Sequence, residues 1–235
     1  MGNQKYEIEK HSVDTILSWI KTKEVVIPEI QRPFVWKAVQ VRNLIDSLYN
    51  GYTAGYLIVS RSHDLKLKDG TISKGQRILI DGQQRVTALT AAILGRTVLN
   101  KEYQERPIRI AYNPFAKEEE NAFEVQDQSH IKSKRWIDDI SIFFDDNFDD
   151  FEFITNYCEE NPDMDIKELN KKIKRVIDIR TKDIGVVELA SDLDVDTVTD
   201  IFIRINKEGA VLSQADFVMS KIEKKKKYGG NILRK

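Results

Sequence analysis

A short apolar strand, a glycine turn and an amphipathic helix follow one another without a break over residues 78–95. The strand is predicted at 78–80, Asp81 and Gly82 form the turn, and Gly95 is a typical helix end. Between Gly82 and Gly95, three apolar residues have the spacing of one buried helical face: Val86, Leu89 and Ile93. A buried strand therefore brings a polar turn directly to the N-terminus of a helix.

The side chains of this turn suit an anion. The first N–H groups of a helix lack intrahelical partners and carry the positive end of its dipole, and Gly82 lets the backbone approach a ligand closely. Arg85 adds a bidentate phosphate donor, while Gln83 and Gln84 can donate to phosphate or orient a water. Asp81 can hold a divalent cation or fix Arg85. The alternative is that Asp81 only caps the helix and that the polar residues after it face solvent.

A second polar cluster lies upstream, where Gln31 and Arg32 precede Phe34 and Trp36. A guanidinium beside aromatic faces can hold a phosphate and stack on a base. A buried turn explains the same pattern if both aromatic side chains belong to the core and Arg32 pairs with a carboxylate.

A third cluster, Arg204 and Asn206, ends an amphipathic helix predicted over residues 196–206. Cationic and polar residues at this position also complement the helix dipole, which is the structural alternative. A last helix is predicted from Gln214, with Ser213 and Asp216 as its capping box. It runs into the basic end without a stop signal, which indicates a fragment of a longer protein.

The composition limits the classes of protein to which this chain can belong. No apolar run approaches the roughly 18 residues of a membrane helix, and the N-terminus lacks a signal-peptide pattern, so cytoplasm is the expected location. Cys158 is the only cysteine, and the three histidines are scattered without metal-ligand spacing: His11, His63 and His130. A disulfide, a thiolate cluster and a zinc or HNH-type nuclease centre are therefore not indicated.

Charge is unevenly distributed although the net charge is only -1. Residues 138–165 carry many carboxylates and no Lys or Arg, whereas residues 221–235 are strongly basic. The acidic stretch would repel phosphate and the basic end could attract it, but charge runs alone are weak evidence, and a solvated face and a frayed tail are the favoured explanations.

Periodicity elsewhere predicts a mixture of strands and helices. Before residue 125 we expect a helix after the N-cap Ser12, a helix over 41–48, a strand over 56–59 and a half-buried strand over 108–112. After it we expect helices over 136–144, 151–159 and 166–180, then a strand over 184–189.

Three ordered segments, residues 27–36, 79–89 and 202–213, resemble the N-terminal domain of GmrSD-type restriction proteins. The resemblance implies an α+β, ParB/sulfiredoxin-like fold, with a small mixed sheet, flanking helices and a helical lobe. It divides the chain into a nucleotide-binding core, 1–125, and a mainly helical lobe, 126–235, which stops before a C-terminal nuclease region.

The resemblance also implies an activity: binding and hydrolysis of a nucleoside triphosphate with Mg²⁺, which controls a C-terminal nuclease domain or subunit acting on foreign or modified DNA. The expected catalytic residues are Asp81, Gln83, Gln84 and Arg85, with Asp81 also the expected metal ligand. The other expected nucleotide-binding residues are Gln31, Arg32, Trp36, Gly82, Thr87, Arg204 and Asn206. A ParB-like DNA-binding module and a DNA-nicking nuclease without nucleotide hydrolysis are the alternatives, and a homodimer is left open.

Overall fold

The structure is a computed structural model, which describes residues 5–27, 33–61, 76–117, 120–190 and the single residues 193, 197 and 201. The strands in this part of the chain are β1 (Tyr6–Ser12), β2 (Val25–Val26), β3 (Tyr56–Arg61), β4 (Arg77–Asp81), β5 (Val98–Leu99), β6 (Glu105–Arg106), β7 (Ile110–Tyr112), β8 (Phe123–Val125) and β9 (Asp183–Leu189). The α-helices are α1 (Val13–Lys21), α2 (Ala38–Tyr49), α3 (Gln83–Leu94), α4 (Gln128–Lys132), α5 (Asp150–Glu160) and α6 (Ile166–Ile177). The same described ranges contain two 3₁₀-helices, Ile140–Phe144 and Asp178–Thr181.

The main sheet has five strands in the order β1-β9-β3-β4-β2. β9 pairs antiparallel with β1 and parallel with β3, whereas β4 pairs antiparallel with β3 and parallel with β2. The sheet is therefore mixed, and the predicted α+β class is confirmed. Its second strand, β9, comes from the second half of the sequence and lies between two strands from the first half.

One continuous core joins the helices to one face of this sheet. Leu57 and Val59 alternate along β3 and belong to the same cluster of buried residues as Leu89 of α3. The cluster extends into the second half of the chain, where it includes Leu169 and Ile173 of α6. The core therefore contains residues from both sides of position 125.

Several predicted elements are confirmed close to their expected bounds, including the first helix. Ser12 Oγ accepts a hydrogen bond from Thr15 N–H at 3.1 Å and caps α1. The helix predicted over 41–48 is α2, and the strands predicted over 56–59, 78–80 and 184–189 are β3, β4 and β9. Local periodicity was sufficient for these elements.

The helix predicted over residues 136–144 is wrong. Ile137 N–H donates to Tyr112 O at 2.8 Å, and Tyr112 N–H donates to Ile137 O at 2.7 Å, so this backbone forms a β-bridge instead. Asp139 then caps the short 3₁₀-helix through a bond from Ser141 N–H at 3.0 Å.

The half-buried strand predicted over residues 108–112 is also corrected. β7 covers only Ile110–Tyr112, and all three residues are buried. The strand is therefore fully buried and not half-buried, since Ala111 is enclosed as completely as its two neighbours. The helix predicted over 166–180 ends at Ile177 and continues as a 3₁₀-helix. The helix predicted from Gln214 lies outside the described residues, as does the one over 196–206 apart from residues 197 and 201.

The acidic stretch has a structural role in the described residues. Asp149 accepts a hydrogen bond from Glu152 N–H at the start of α5, and Asp165 accepts one from Glu168 N–H at the start of α6, both at 2.9 Å. Carboxylates at these positions satisfy free amides and complement the helix dipole.

None of the helices in the described ranges is long and apolar enough to span a bilayer.

Candidate functional site

Gly82 connects β4 to α3 with no residue between the strand and the helix N-cap. Its φ is +95°, a left-handed conformation that side chains disfavour. A Cβ atom there would lie 2.3 Å from Leu57 Cδ2. Both constraints favour glycine, so the strand and the helix meet in the tight turn that the sequence predicts.

The N-terminus of α3 has no side-chain cap. Gly82 is the N-cap residue, and no side-chain hydrogen bond caps this helix. Asp81 lies in β4, where Leu79 and Asp81 pair with the consecutive residues Val59 and Ile58, which makes Ile80 the extra residue of a β-bulge. The alternative that Asp81 caps the helix is therefore wrong.

Arg85 is fixed at the sheet end of α3. Its Nη1 donates to the carbonyl oxygen of Tyr56 at 2.8 Å and lies 3.9 Å from Asp81 Oδ2. A Cβ atom on Gly55, whose φ is +79°, would come within 3.2 Å of three guanidinium atoms. A guanidinium has five N–H donors, so the bond to Tyr56 leaves donors for an anion.

Gln84 joins the turn to the segment at residues 33–36. Its Oε1 accepts hydrogen bonds from Val35 N–H at 2.9 Å and Trp36 N–H at 3.3 Å. Its Nε2 also contacts Pro33 O at 3.5 Å. Pro33 follows Arg32 in the sequence, so the end of the first motif and the start of the second are held together by one side chain.

Of the two aromatic residues in the first motif, one fits the buried-turn interpretation and the other is only partly buried. Phe34 is buried, and its N–H donates to Leu99 O at 2.8 Å, as the buried-turn alternative predicts. Trp36 packs against the core but is only partly buried. Thr87 of α3 is likewise partly buried. The remaining predicted ligands lie outside the described residues: Gln31, Arg32, Arg204 and Asn206.

Two residues at this site were missed by the sequence analysis. Gly55 gives the guanidinium of Arg85 its space, and Tyr56 supplies the carbonyl that anchors it. A glycine directly before a predicted strand was the available signal, but its partner is about 30 residues away in the chain. Only the antiparallel pairing of β3 with β4 brings the two together.

Altered pKa values occur at other places in the fold. Burial raises the pKa of Tyr112, and its hydrogen bond with Tyr49 raises it further. Burial also raises the pKa of Tyr157, whose O–H donates to Arg135 O, and that of the Cys158 thiol. A raised thiol pKa is the opposite of what an activated nucleophile needs.

Within the described ranges, no group of three potential ligands suits a protein-held metal ion.

The fold and the turn define an α+β domain in which a sheet end, an uncapped helix N-terminus and a fixed arginine meet. The profile of the GmrSD restriction endonuclease, N-terminal domain, matches residues 13–223. The chain therefore belongs to this family of restriction and defence proteins, and the resemblance carried by its three motifs is confirmed. No curated protein matches the chain at a significant level.

Proposed function

We propose that the turn at residues 81–85 binds the phosphates of a nucleoside triphosphate, and that the domain uses this nucleotide to regulate a restriction nuclease. The observation that carries the proposal is the placement of Arg85. Its side chain is held by Tyr56 O at 2.8 Å, beside the first turn of a helix that has no side-chain cap. A pre-positioned guanidinium and the positive end of a helix without a side-chain cap together favour a multiply charged phosphate.

The roles follow from the contacts of each residue. Arg85 would bind phosphate and stabilise charge in the transition state, since phosphoryl transfer depends on positioning and charge neutralisation. Gln83 or Gln84 would position the attacking water. Gln84 also joins this turn to residues 33–36, because its carbonyl oxygen accepts two backbone N–H groups. Trp36 and Thr87 are the further described ligands, and the motifs add Gln31, Arg32, Arg204 and Asn206.

Asp81 fits a magnesium ion that arrives with the nucleotide. Its side chain is 28% exposed, and its distance of 3.9 Å from Arg85 is too long for a hydrogen bond. Magnesium at phosphate sites is usually held by one or two carboxylates together with phosphate oxygens, so a single aspartate is sufficient. The bound ion would neutralise phosphate charge.

In the whole protein we propose that nucleotide binding or hydrolysis controls a C-terminal nuclease domain or subunit that attacks foreign or modified DNA. The membership of the chain in a family of restriction endonuclease domains supports this partner. We therefore assign the cutting activity to this partner.

A thermal-shift panel with ATP, GTP, CTP and UTP, each with and without Mg²⁺, tests the proposal. A ligand at about 100 times its dissociation constant stabilises a protein by roughly 2.7 kcal/mol, so binding raises Tm measurably. We expect a shift in the native chain and its loss in Arg85→Ala. Arg106→Ala, on the exposed strand β6, is the matched control and should retain the shift.

Two results would contradict the proposal: no shift with any triphosphate, or an equal shift in Arg85→Ala. If DNA instead bound with a steep salt dependence and no triphosphate bound, the domain would be a DNA-binding module that grips backbone phosphates.

A further inference from the structure

Tyr56 has a second feature besides the carbonyl that anchors Arg85. It is the first residue of β3, and 56% of its surface is exposed, which is high for a tyrosine in the middle strand of a five-stranded sheet. Leu57, its neighbour, is 2% exposed and points into the core. Because side chains alternate along a strand, the ring of Tyr56 belongs to the opposite face of the sheet.

The ring lies on the backbone of the neighbouring strand. Tyr56 pairs with Gly185 in the parallel register of β3 and β9. A Cβ atom on Gly185 would come within 2.5 Å of two atoms of the ring, Cδ1 and Cε1. The glycine therefore leaves room for one face of the ring to rest on β9. Because β9 covers this face, we assign the exposed surface of Tyr56 to the other face of the ring.

The ring and the phosphate-binding arginine are joined through one residue. Arg85 Nη1 is bonded to the carbonyl oxygen of Tyr56, so an anion held by Arg85 lies at the same end of β3 as the ring. An aromatic ring already supported on one side loses little freedom when a second planar group stacks on it. Inorganic phosphate has no such group, whereas a nucleotide carries its base at the end opposite the phosphates.

We propose that Tyr56 is the platform on which the base of the bound nucleoside triphosphate stacks, with Gly185 holding the ring in place. This inference rests on the proposed function, because it requires the triphosphate to be bound at Arg85. It makes Tyr56 a specificity-determining residue that separates nucleotides from base-free polyphosphates. Since every base has a π-face, stacking tolerates different bases.

The test compares two probes by isothermal titration calorimetry: the triphosphate that binds the native chain most tightly, and inorganic tripolyphosphate, which has no base. In Tyr56→Ala the nucleotide should bind about 10-fold more weakly, in line with the loss of one base–aromatic stack, while tripolyphosphate binds as before. Tyr56→Phe should bind both probes normally.

Gly185→Ala gives an independent perturbation that keeps the tyrosine. The added methyl group must displace the ring, so nucleotide affinity should fall as in Tyr56→Ala, again without loss of tripolyphosphate affinity. Phe151→Ala removes an aromatic side chain that is 79% exposed on α5, and it should change neither affinity. Thermal melts without ligand show which variants are folded.

The outcomes separate the two proposals. If Tyr56→Ala binds the nucleotide as tightly as the native chain, or loses both probes in parallel, Tyr56 is not a base platform, although Arg85 can still be the phosphate ligand. If the native chain binds no triphosphate at all, the proposed function fails and this inference fails with it.

Discussion

Gln84 links two segments that are about 50 residues apart in the chain, and its replacement should affect both stability and binding. In Gln84→Ala, the N–H groups of Val35 and Trp36 lose their acceptor. A net hydrogen bond contributes about 0.5–1.5 kcal/mol. The bond to Val35 is short but exposed, and the bond to Trp36 is longer but partly buried, so we take about 1.5 kcal/mol for the pair. The 3.5 Å contact with Pro33 adds nothing to this sum.

For a chain of this length, each kcal/mol corresponds to about 2–4 °C in Tm, so Gln84→Ala should melt roughly 3–6 °C below the native chain. Hydrogen exchange of the Val35 and Trp36 amides should accelerate at the same time, because their acceptor is gone. Nucleotide affinity should fall as well, since the segment after Gln31 and Arg32 is no longer held against α3.

Gln84→Glu and Gln104→Ala are the matched controls. A carboxylate at position 84 still accepts both N–H groups, so Gln84→Glu should keep most of the stability while its negative charge weakens triphosphate binding. Gln104 lies on an exposed turn, and its loss should leave Tm within about 1 °C of the native value. Unchanged Tm and unchanged exchange at Val35 and Trp36 in Gln84→Ala would mean that Gln84 does not hold the two segments together.

Three further predictions concern single residues. Gly82→Ala should reduce the free energy of unfolding by at least about 2 kcal/mol in urea denaturation, because the new Cβ meets Leu57 in a left-handed backbone conformation; a cost below about 0.5 kcal/mol would contradict the described turn. Asp165→Ala removes the bond from Glu168 N–H and should cost about 1 kcal/mol in the same assay, whereas an unchanged midpoint would mean that the cap contributes nothing. Burial, and then the nearby carboxylate of Asp165, raise the pKa of Cys158, so its thiolate is scarce at neutral pH. Alkylation of Cys158 by iodoacetamide should therefore be slower than alkylation of glutathione at pH 8. The rate at Cys158 should increase only at more alkaline pH. Alkylation as fast as that of glutathione at pH 8 would argue against the raised pKa.

The strand–turn–helix unit was predictable because its determinants are local. Apolar spacing specified the buried face of α3, and Gly82 marked the turn, which the structure confirms. The prediction that Arg85 binds phosphate rests likewise on its position in the first helical turn, and it stays a prediction. These inferences need only residues within about ten positions of one another.

The contacts that organise the site could not be read from the sequence because their partners are far apart in the chain. Gln84 reaches Val35, and Arg85 reaches Tyr56, across 49 and 29 residues. The same limit explains the wrong helix over residues 136–144, where the bridge between Ile137 and Tyr112 overrides a helical pattern. β1 was missed because its apolar residues, Tyr6 and Ile8, alternate with charged residues over only four positions, which is too short a pattern in a mostly exposed edge strand.

A crystal structure of the chain with Mg²⁺ and a non-hydrolysable nucleoside triphosphate would show whether Arg85 binds the phosphates. We predict phosphate oxygens within about 3 Å of the Arg85 guanidinium and of the first backbone amides of α3. A nucleotide bound elsewhere, with Arg85 still bonded only to Tyr56 O, would contradict it.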